Sequence, residues 1–327
     1  MSKQIWVFAE QVQGKLDPIV FELLTKARDL APQLGEDTQI GAVLLGSGVD
    51  GLAQELADFG ADVVYVADDE ALAMYNPMLY TPVIADLCKK EGPEIFLFGA
   101  TAIGAELGPT VAVPLATGVA AHCVDMRIGA DGIMVADVPS FGGKILGEIL
   151  CPYTKPQMAS VKSGIFVCGT PEAKPLNVKQ VDLSALPKSV PLKPVKLEKR
   201  AVEGVPLDKA DIVLCGGFGL TCQNSWDQMT TLAAKMNGAA GATRPAIDEG
   251  WAPGEHVMIG TSGKSIRPKV YIGFGISGAT HHVCGMKDSG YVISVNRDEN
   301  VPMFEVSDAF AVADPCAVID ALVEKLG

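Results

Sequence analysis

The sequence predicts an α/β protein of two domains, each organised on a mainly parallel sheet. Three observations point there. Apolar runs of strand length alternate with stretches whose apolar residues recur at helical spacing. The chain has 327 residues, 48% of them hydrophobic, which is enough for two cores. A Pro- and Lys-rich stretch, residues 169–206, parts two such alternating regions. The expected domains are residues 1–205, an N-terminal parallel-sheet domain with an antiparallel appendage and a connector, and residues 206–327, a doubly wound ligand-binding domain.

Ile5 to Ala9 reads as the first strand. Asp17 to Leu30 reads as a helix, with Ile19, Phe21, Leu23, Leu24, Ala27 and Leu30 on its apolar stripe and Asp17 as N-cap. Ile40 to Leu45 and Asp62 to Val66 are strands, flanking a helix from Asp50 to Phe59. A helix through Tyr80 to Cys88 leads to a strand at Ile95 to Gly99 and a helix at Gly104 to Val113, which Pro109 should interrupt. From Gly118 the pattern changes. Val119 to Met126, Gly132 to Val138, Lys144 to Leu150 and Met158 to Val167 read as strands of the antiparallel appendage, with Ala130-Asp131-Gly132 as a hairpin turn.

The second domain opens near Leu207. Asp211 to Cys215 is a strand, Gly216-Gly217-Phe218-Gly219 a turn, and Gln223 to Met236 a helix that Thr221 could cap. Gly238 to Ala242, Tyr271 to Phe274 and Tyr291 to Val295 are further strands, and Pro315 to Leu326 is a closing helix.

Charge and cysteines narrow the function. With 39 acidic and 26 basic residues the formal net charge is −13, which argues against nucleic acid and anionic membrane surfaces as partners. The eight cysteines contain no C-x-x-C pair, so a zinc ribbon or iron–sulfur cluster is not expected, and several sit in apolar runs as reduced core residues. The N-terminus reads as a strand and not as a signal peptide, and no apolar run approaches a span of about 20 residues. A cytoplasmic chain without membrane insertion is expected.

The stretch from Pro268 to Ser289 carries the strongest chemical signal. A strand ends at Phe274, Gly275-Ile276-Ser277-Gly278 turns, and Ala279 to Met286 can open a helix with Ser277 as N-cap. Backbone amides converging at such a turn make an anion site. Gly-Phe-Gly-Ile-Ser-Gly matches G-x-G-x-x-G, but Asn296 stands near where the usual acidic residue would be. His281 and His282 are two of only four histidines, which favours a ligand role for at least one. Five loops follow strand ends here: residues 216–221, 243–244, 260–265, 275–282 and 296–298. Gly260 to Ser265 resembles half a phosphate loop, but the four-residue gap between glycines is two, which disfavours Walker-type ATP hydrolysis. Together the loops point to a nucleotide-sized ligand.

These motifs, in order and spacing, resemble the FAD domain of the α subunit of electron transfer flavoproteins. The matching stretches are Thr243-Arg244, Thr261-Ser262-Gly263-Lys264-Ser265, Gly275-Ile276-Ser277-Gly278-Ala279-Thr280-His281-His282, Val295-Asn296-Arg297-Asp298, and Asp308-Ala309-Phe310 onward to Asp314. Phe141-Gly142-Gly143 and Pro156-Gln157-Met158 match more loosely in the first domain. The resemblance implies one FAD in this subunit. Arg244 would lie over the isoalloxazine ring, Ser262 near N5, and His282 would donate toward O2, held charged by the anion there. Amides of Ser277 to Ala279, with Lys264 and Ser265, would meet the pyrophosphate, and Asn296 and Asp314 the ribose and adenine end. Thr261, Gly263, Gly275, Gly278 and His281 complete the implied site.

The resemblance also implies a heterodimer with a β subunit holding AMP or a second FAD, and electron exchange with an acyl-CoA dehydrogenase or reductase. It implies a carrier and no metal or catalytic residue. The chain departs from the family pattern at Phe218, where an arginine is usual, at Ser262 for threonine, at His281, and in Gly104 to Thr110, which lacks both usual arginines. An electron carrier, a subunit of an NADH-linked electron-bifurcating complex, and a nucleotide-binding protein without redox activity all remain compatible with the residues.

Overall fold

The computed structural model describes residues 2–140, 145–198, 204–207 and 209–326. The expectations on Phe141-Gly142-Gly143 and on Lys144 lie outside the described residues. The chain divides into two compact units at about residue 197.

In the first unit, seven parallel strands form one sheet. Its order is Val178–Gln180, Val63–Asp68, Gln39–Gly46, Gln4–Phe8, Ile95–Gly99, Gln157–Val161, Val119–Cys123. Alternate residues of the central strand bury on opposite faces. Ile5 and Val7 join one core with helix Ile19–Leu34, while Trp6 and Phe8 join another with helix Pro77–Glu91. The second face carries the aromatic weight: Trp6 meets Tyr65 at 4.7 Å and Phe96 edge-on at 5.7 Å.

The antiparallel appendage is smaller than the sequence suggests. It comprises Asp125–Ile128, Met134–Ser140 and Ile145–Leu150. The stretches expected as its outer strands divide. Val119–Cys123 and Gln157–Val161 belong to the parallel sheet, because Gln157–Val161 is buried on both faces and needs cover on each. His122, at φ 59°, turns the chain out of that sheet into the appendage. The strand from Met158 stops at Val161 because Gly164, at φ 79°, turns the chain away. The hairpin at Ala130 to Gly132 forms as expected, with Gly132 at φ 76° and its amide 2.9 Å from the Gly129 carbonyl. Pro109 does not interrupt its helix, which runs Ala102–Ala112. Ala105, whose carbonyl loses its donor, is exposed, so water can serve that oxygen. Asp17 does not occupy the cap position of the first helix, though its Oδ1 accepts from the Ile19 amide at 3.0 Å.

The second unit holds a five-stranded parallel sheet in the order Ala239–Ala242, Ile212–Gly216, Val270–Phe274, Val292–Asn296, Ala309–Val312. The last strand is exposed along most of its length, which hid it from periodicity. The chain leaves Ile212–Gly216 in one direction and later restarts at Val270–Phe274 in the other. The gap between those two strand ends is therefore the switch point of the sheet, where open α/β sheets receive ligands. Val213, Cys215 and Tyr271 line one core and Leu214, Ile272 and Phe274 the other. Helix Gln223–Lys235 begins at Cys222 and not at Thr221, which sits left-handed at φ 63°.

Candidate FAD site

At the switch point the two backbones nearly touch, and glycine is what permits it. Gly217 donates to the Phe274 carbonyl and Gly219 to the Gly275 carbonyl, each at 2.9 Å. A Cβ on Gly219 would lie 2.6 Å from the Gly275 Cα, and one on Gly275 would lie 2.6 Å from the Gly219 Cα. Gly275 is also left-handed, at φ 64°. This pinch brings the loops after four parallel strands to one rim.

They enclose a cavity of about 510 Å³. Of the residues expected from sequence, Arg244, Thr261, Ser262, Gly275, Ser277, Ala279, His281, His282 and Asn296 line it. Gly263, Lys264, Ser265, Gly278 and Asp314 do not. Gly263 and Gly278 serve the loop backbone instead. A Cβ on Gly263 would strike the Met258 carbonyl, and one on Gly278, at φ 86°, would lie 2.6 Å from the Met303 Cα. Asp314 is taken up by structure: its Oδ1 caps helix Pro315–Lys325 at the Cys316 amide, 3.0 Å, and pairs with Arg297 at 2.8 Å.

The turn after Phe274 is rigid but leaves donors open. Asn296 donates from Nδ2 to the Ile276 carbonyl at 2.9 Å, and the Met303 amide reaches the Ser277 carbonyl at 3.2 Å. Among the described residues, the amides of Ser277, Gly278 and Ala279 have no acceptor. The following helix is shorter than the spacing suggests, Thr280–Val283. Ala279 takes the cap position there without a side-chain bond, so Ser277 is not its cap. Arg244 is exposed at the rim, held by Asp248 at 2.8 Å and facing Glu255 at 3.5 Å. Thr261 and His281, both on the lining, are bonded Oγ1 to Nδ1 at 3.2 Å.

His282 differs most from expectation. It is 6% exposed, with Nδ1 3.0 Å from the Ile259 carbonyl and Nε2 2.7 Å from the Tyr271 hydroxyl. A carbonyl only accepts, so Nδ1 carries the proton and Nε2 accepts from Tyr271. Burial pushes its pKa down to about 4. The ring is therefore neutral, and both nitrogens are engaged within the chain, where a charged donor was expected. Behind it, burial lifts the Tyr271 hydroxyl well above its usual range and the Cys215 thiol to about 12. Tyr271 was not singled out by the sequence, since as the only polar group in an apolar strand it reads as core. Tyr271→Phe would strand Nε2 in the interior and is expected to cost about 1–3 kcal/mol, read by urea unfolding. Unchanged stability would show that the hydroxyl does not hold the ring.

Phe218, Thr243, Pro245, Ile276, Asp298 and Val301 also line the cavity. Phe218 is 60% exposed and stacks on Trp251 at 6.0 Å.

Comparison with known proteins finds relatives along nearly the whole chain. Residues 5–186 match the electron transfer flavoprotein domain, and residues 206–287 match the electron transfer flavoprotein FAD-binding domain. The electron transfer flavoprotein subunit alpha of Megasphaera elsdenii is 40% identical, covering 99% of this chain and 96% of that protein. That of Thermoanaerobacterium thermosaccharolyticum is 37% identical over 99% and 98%. The acryloyl-CoA reductase electron transfer subunit beta of Anaerotignum propionicum is 33% identical over 99% and 95%. Among the described residues no helix is long and apolar enough to cross a membrane. On these matches, which span nearly its full length, the chain belongs to the α-subunit family of electron transfer flavoproteins and carries that family's FAD-binding domain.

Proposed function

We propose that this chain holds one FAD in the cavity of residues 206–327 and passes electrons between redox proteins, as the α subunit of a heterodimer whose β subunit contacts residues 1–205. The observation that carries this reading is the set of open amides at Ser277, Gly278 and Ala279, on a turn pinned by Asn296 beside a cavity of about 510 Å³. That volume lies within the usual range for cofactor sites. The residues fit the group. A diphosphate needs convergent donors and close backbone approach, which the open amides and the Gly219–Gly275 pinch supply.

Bound FAD supplies one- and two-electron transfer. The chain's own residues set the terms of that transfer. Arg244 places a fixed positive charge at the rim, oriented by Asp248, which favours any anion beside it. Neutral His282 offers the cavity an aromatic edge and no charge. Ser262 and Thr261 offer hydroxyls, and the buried Ile276 and Val301 give the cavity apolar lining. Gly263 and Gly278 lie off the lining and shape the loop backbone, Asp314 caps helix Pro315–Lys325, and Lys264 and Ser265 follow Ser262 on the same loop.

The acryloyl-CoA reductase subunit among the relatives supports an acyl-CoA dehydrogenase or reductase as redox partner. The β subunit would hold AMP, or a second FAD if the complex is an NADH-linked bifurcating one. The test is to purify the chain with its β partner and count flavins. One or two per heterodimer agree with the carrier or the bifurcating form respectively. A colourless complex after FAD is supplied would leave a nucleotide-binding protein without redox activity, the reading that Phe218 in place of arginine favours. Within the flavin-loaded complex, Arg244→Ala is expected to lower the flavin potential by tens of millivolts in a redox titration. An unchanged titration would remove Arg244 from that role.

A further inference from the structure

Beside the cavity, and outside it, two thiols share one hydroxyl. Ser225 Oγ lies 3.4 Å from Cys222 Sγ and 3.2 Å from Cys316 Sγ. The two sulfurs are thus no further apart than those two legs laid end to end. They come from different elements. Cys222 is the cap residue of helix Gln223–Lys235, and Cys316 is the second residue of helix Pro315–Lys325. Cys222 is exposed and Cys316 half-buried, while Cys88, Cys123 and Cys215 are buried.

We propose that Cys222 and Cys316 form a reversible disulfide by exchange with a low-molecular-weight disulfide, and that this bond changes how the turn at the cavity mouth is held. Cys222 is the attacking sulfur. It is the solvent-facing member of the pair, and the Ser225 hydroxyl and the amides of Ser225 and Asn224 face it, which holds its thiol below the ordinary range. The thiolate attacks one sulfur of the external disulfide, expelling one thiolate and leaving a mixed disulfide on Cys222. Cys316 then attacks the Cys222 sulfur, expelling the second thiolate. Two protein thiols are oxidised and the external disulfide is reduced to two thiols. Closing the bond needs Cys222 to change rotamer past the Ser225 hydroxyl, and its exposure gives room for that.

The consequence follows from a third contact. The Cys316 thiol donates to the Leu220 carbonyl at 3.3 Å. Leu220 ends the short turn Phe218–Leu220, whose Phe218 and Gly219 line the cavity and whose Gly219 pinches Gly275. A disulfide has no S–H, so oxidation replaces that donor with a covalent tie from Cys222 to helix Pro315–Lys325, while the Leu220 carbonyl keeps the Cys222 amide at 2.8 Å. The disulfide itself does not depend on the proposed flavin function, since its formation is read on cysteine peptides alone.

The test treats the purified full-length chain with oxidised glutathione, then maps thiols by mass spectrometry after blocking those left free. The expected product carries a crosslink between the peptides of Cys222 and Cys316, reversed by dithiothreitol. Cys316→Ser should trap glutathione on Cys222, and Cys222→Ser should leave Cys316 free. Ser225→Ala should slow the reaction several-fold. Separate glutathione adducts on both cysteines of the wild-type chain would overturn the proposal. So would a crosslink to the exposed Cys168, or adducts on Cys316 in the Cys222→Ser chain. If the crosslink forms, a flavin release rate that differs between the oxidised and the reduced complex reports the changed turn. Retention unchanged from the reduced complex would overturn that second half alone.

Discussion

A Gly275→Ala chain is expected to purify without flavin. Gly275 sits at φ 64°, where an L side chain is strained by about 1–3 kcal/mol. The added methyl would also lie 2.6 Å from the Gly219 Cα and 2.7 Å from its carbonyl carbon. Those are backbone atoms, held by the Gly219 to Gly275 hydrogen bond, so no flexible side chain can yield. The two turns must separate, which opens the rim and displaces the amides of Ser277 to Ala279. The combined cost is about 2–4 kcal/mol of stability. The ratio of flavin to protein absorbance after gel filtration, together with a urea midpoint, measures both effects. A variant with wild-type flavin content would mean that the pinch does not shape the site.

The second large effect is acid-dependent. His282 has a folded pKa of about 4 against an ordinary value of 6.5, because burial disfavours its cation. As pH falls through 6.5 the unfolded chain takes up this proton and the folded chain does not. Stability due to the neutral ring is complete above pH 6.5 and is lost toward pH 4, by about 3 kcal/mol. Glu10 titrates the opposite way, since burial first, opposed by its bond to Thr101, lifts its carboxyl to about 7. A comparison with His282→Gln cancels Glu10 and every other common group. Wild type should lose about 3 kcal/mol more than the variant between pH 7 and 4, read from urea midpoints. Parallel losses would show that the histidine is not buried neutral.

Much of this site can be read in the residues because it is built from backbone. Gly275, Ser277 and Ala279 announce a turn with open amides, and strand-ending loops at Thr243 and Asn296 announce the sheet edge that gathers them. What escapes the residues is what depends on neighbours distant in sequence. His282 looks like a donor until Tyr271 and Ile259 are placed against its two nitrogens. Asp314 looks like a ligand until Cys316 is seen to follow it as the first turn of a helix. The stretch from Met158 to Val167 looks like a fourth antiparallel strand, because short apolar runs do not say which sheet covers them. Cys222 and Cys316 stand far apart in the chain, and only the packing of two helix starts brings them to Ser225.

The account rests on one claim, that the loops around the Gly219–Gly275 pinch hold FAD. The most direct measurement is a crystal structure of the chain with its β partner grown with FAD. The account predicts difference density with the diphosphate against the amides of Ser277, Gly278 and Ala279, and the ring system beneath Arg244. FAD seated elsewhere, or a different molecule in that cavity, would contradict it.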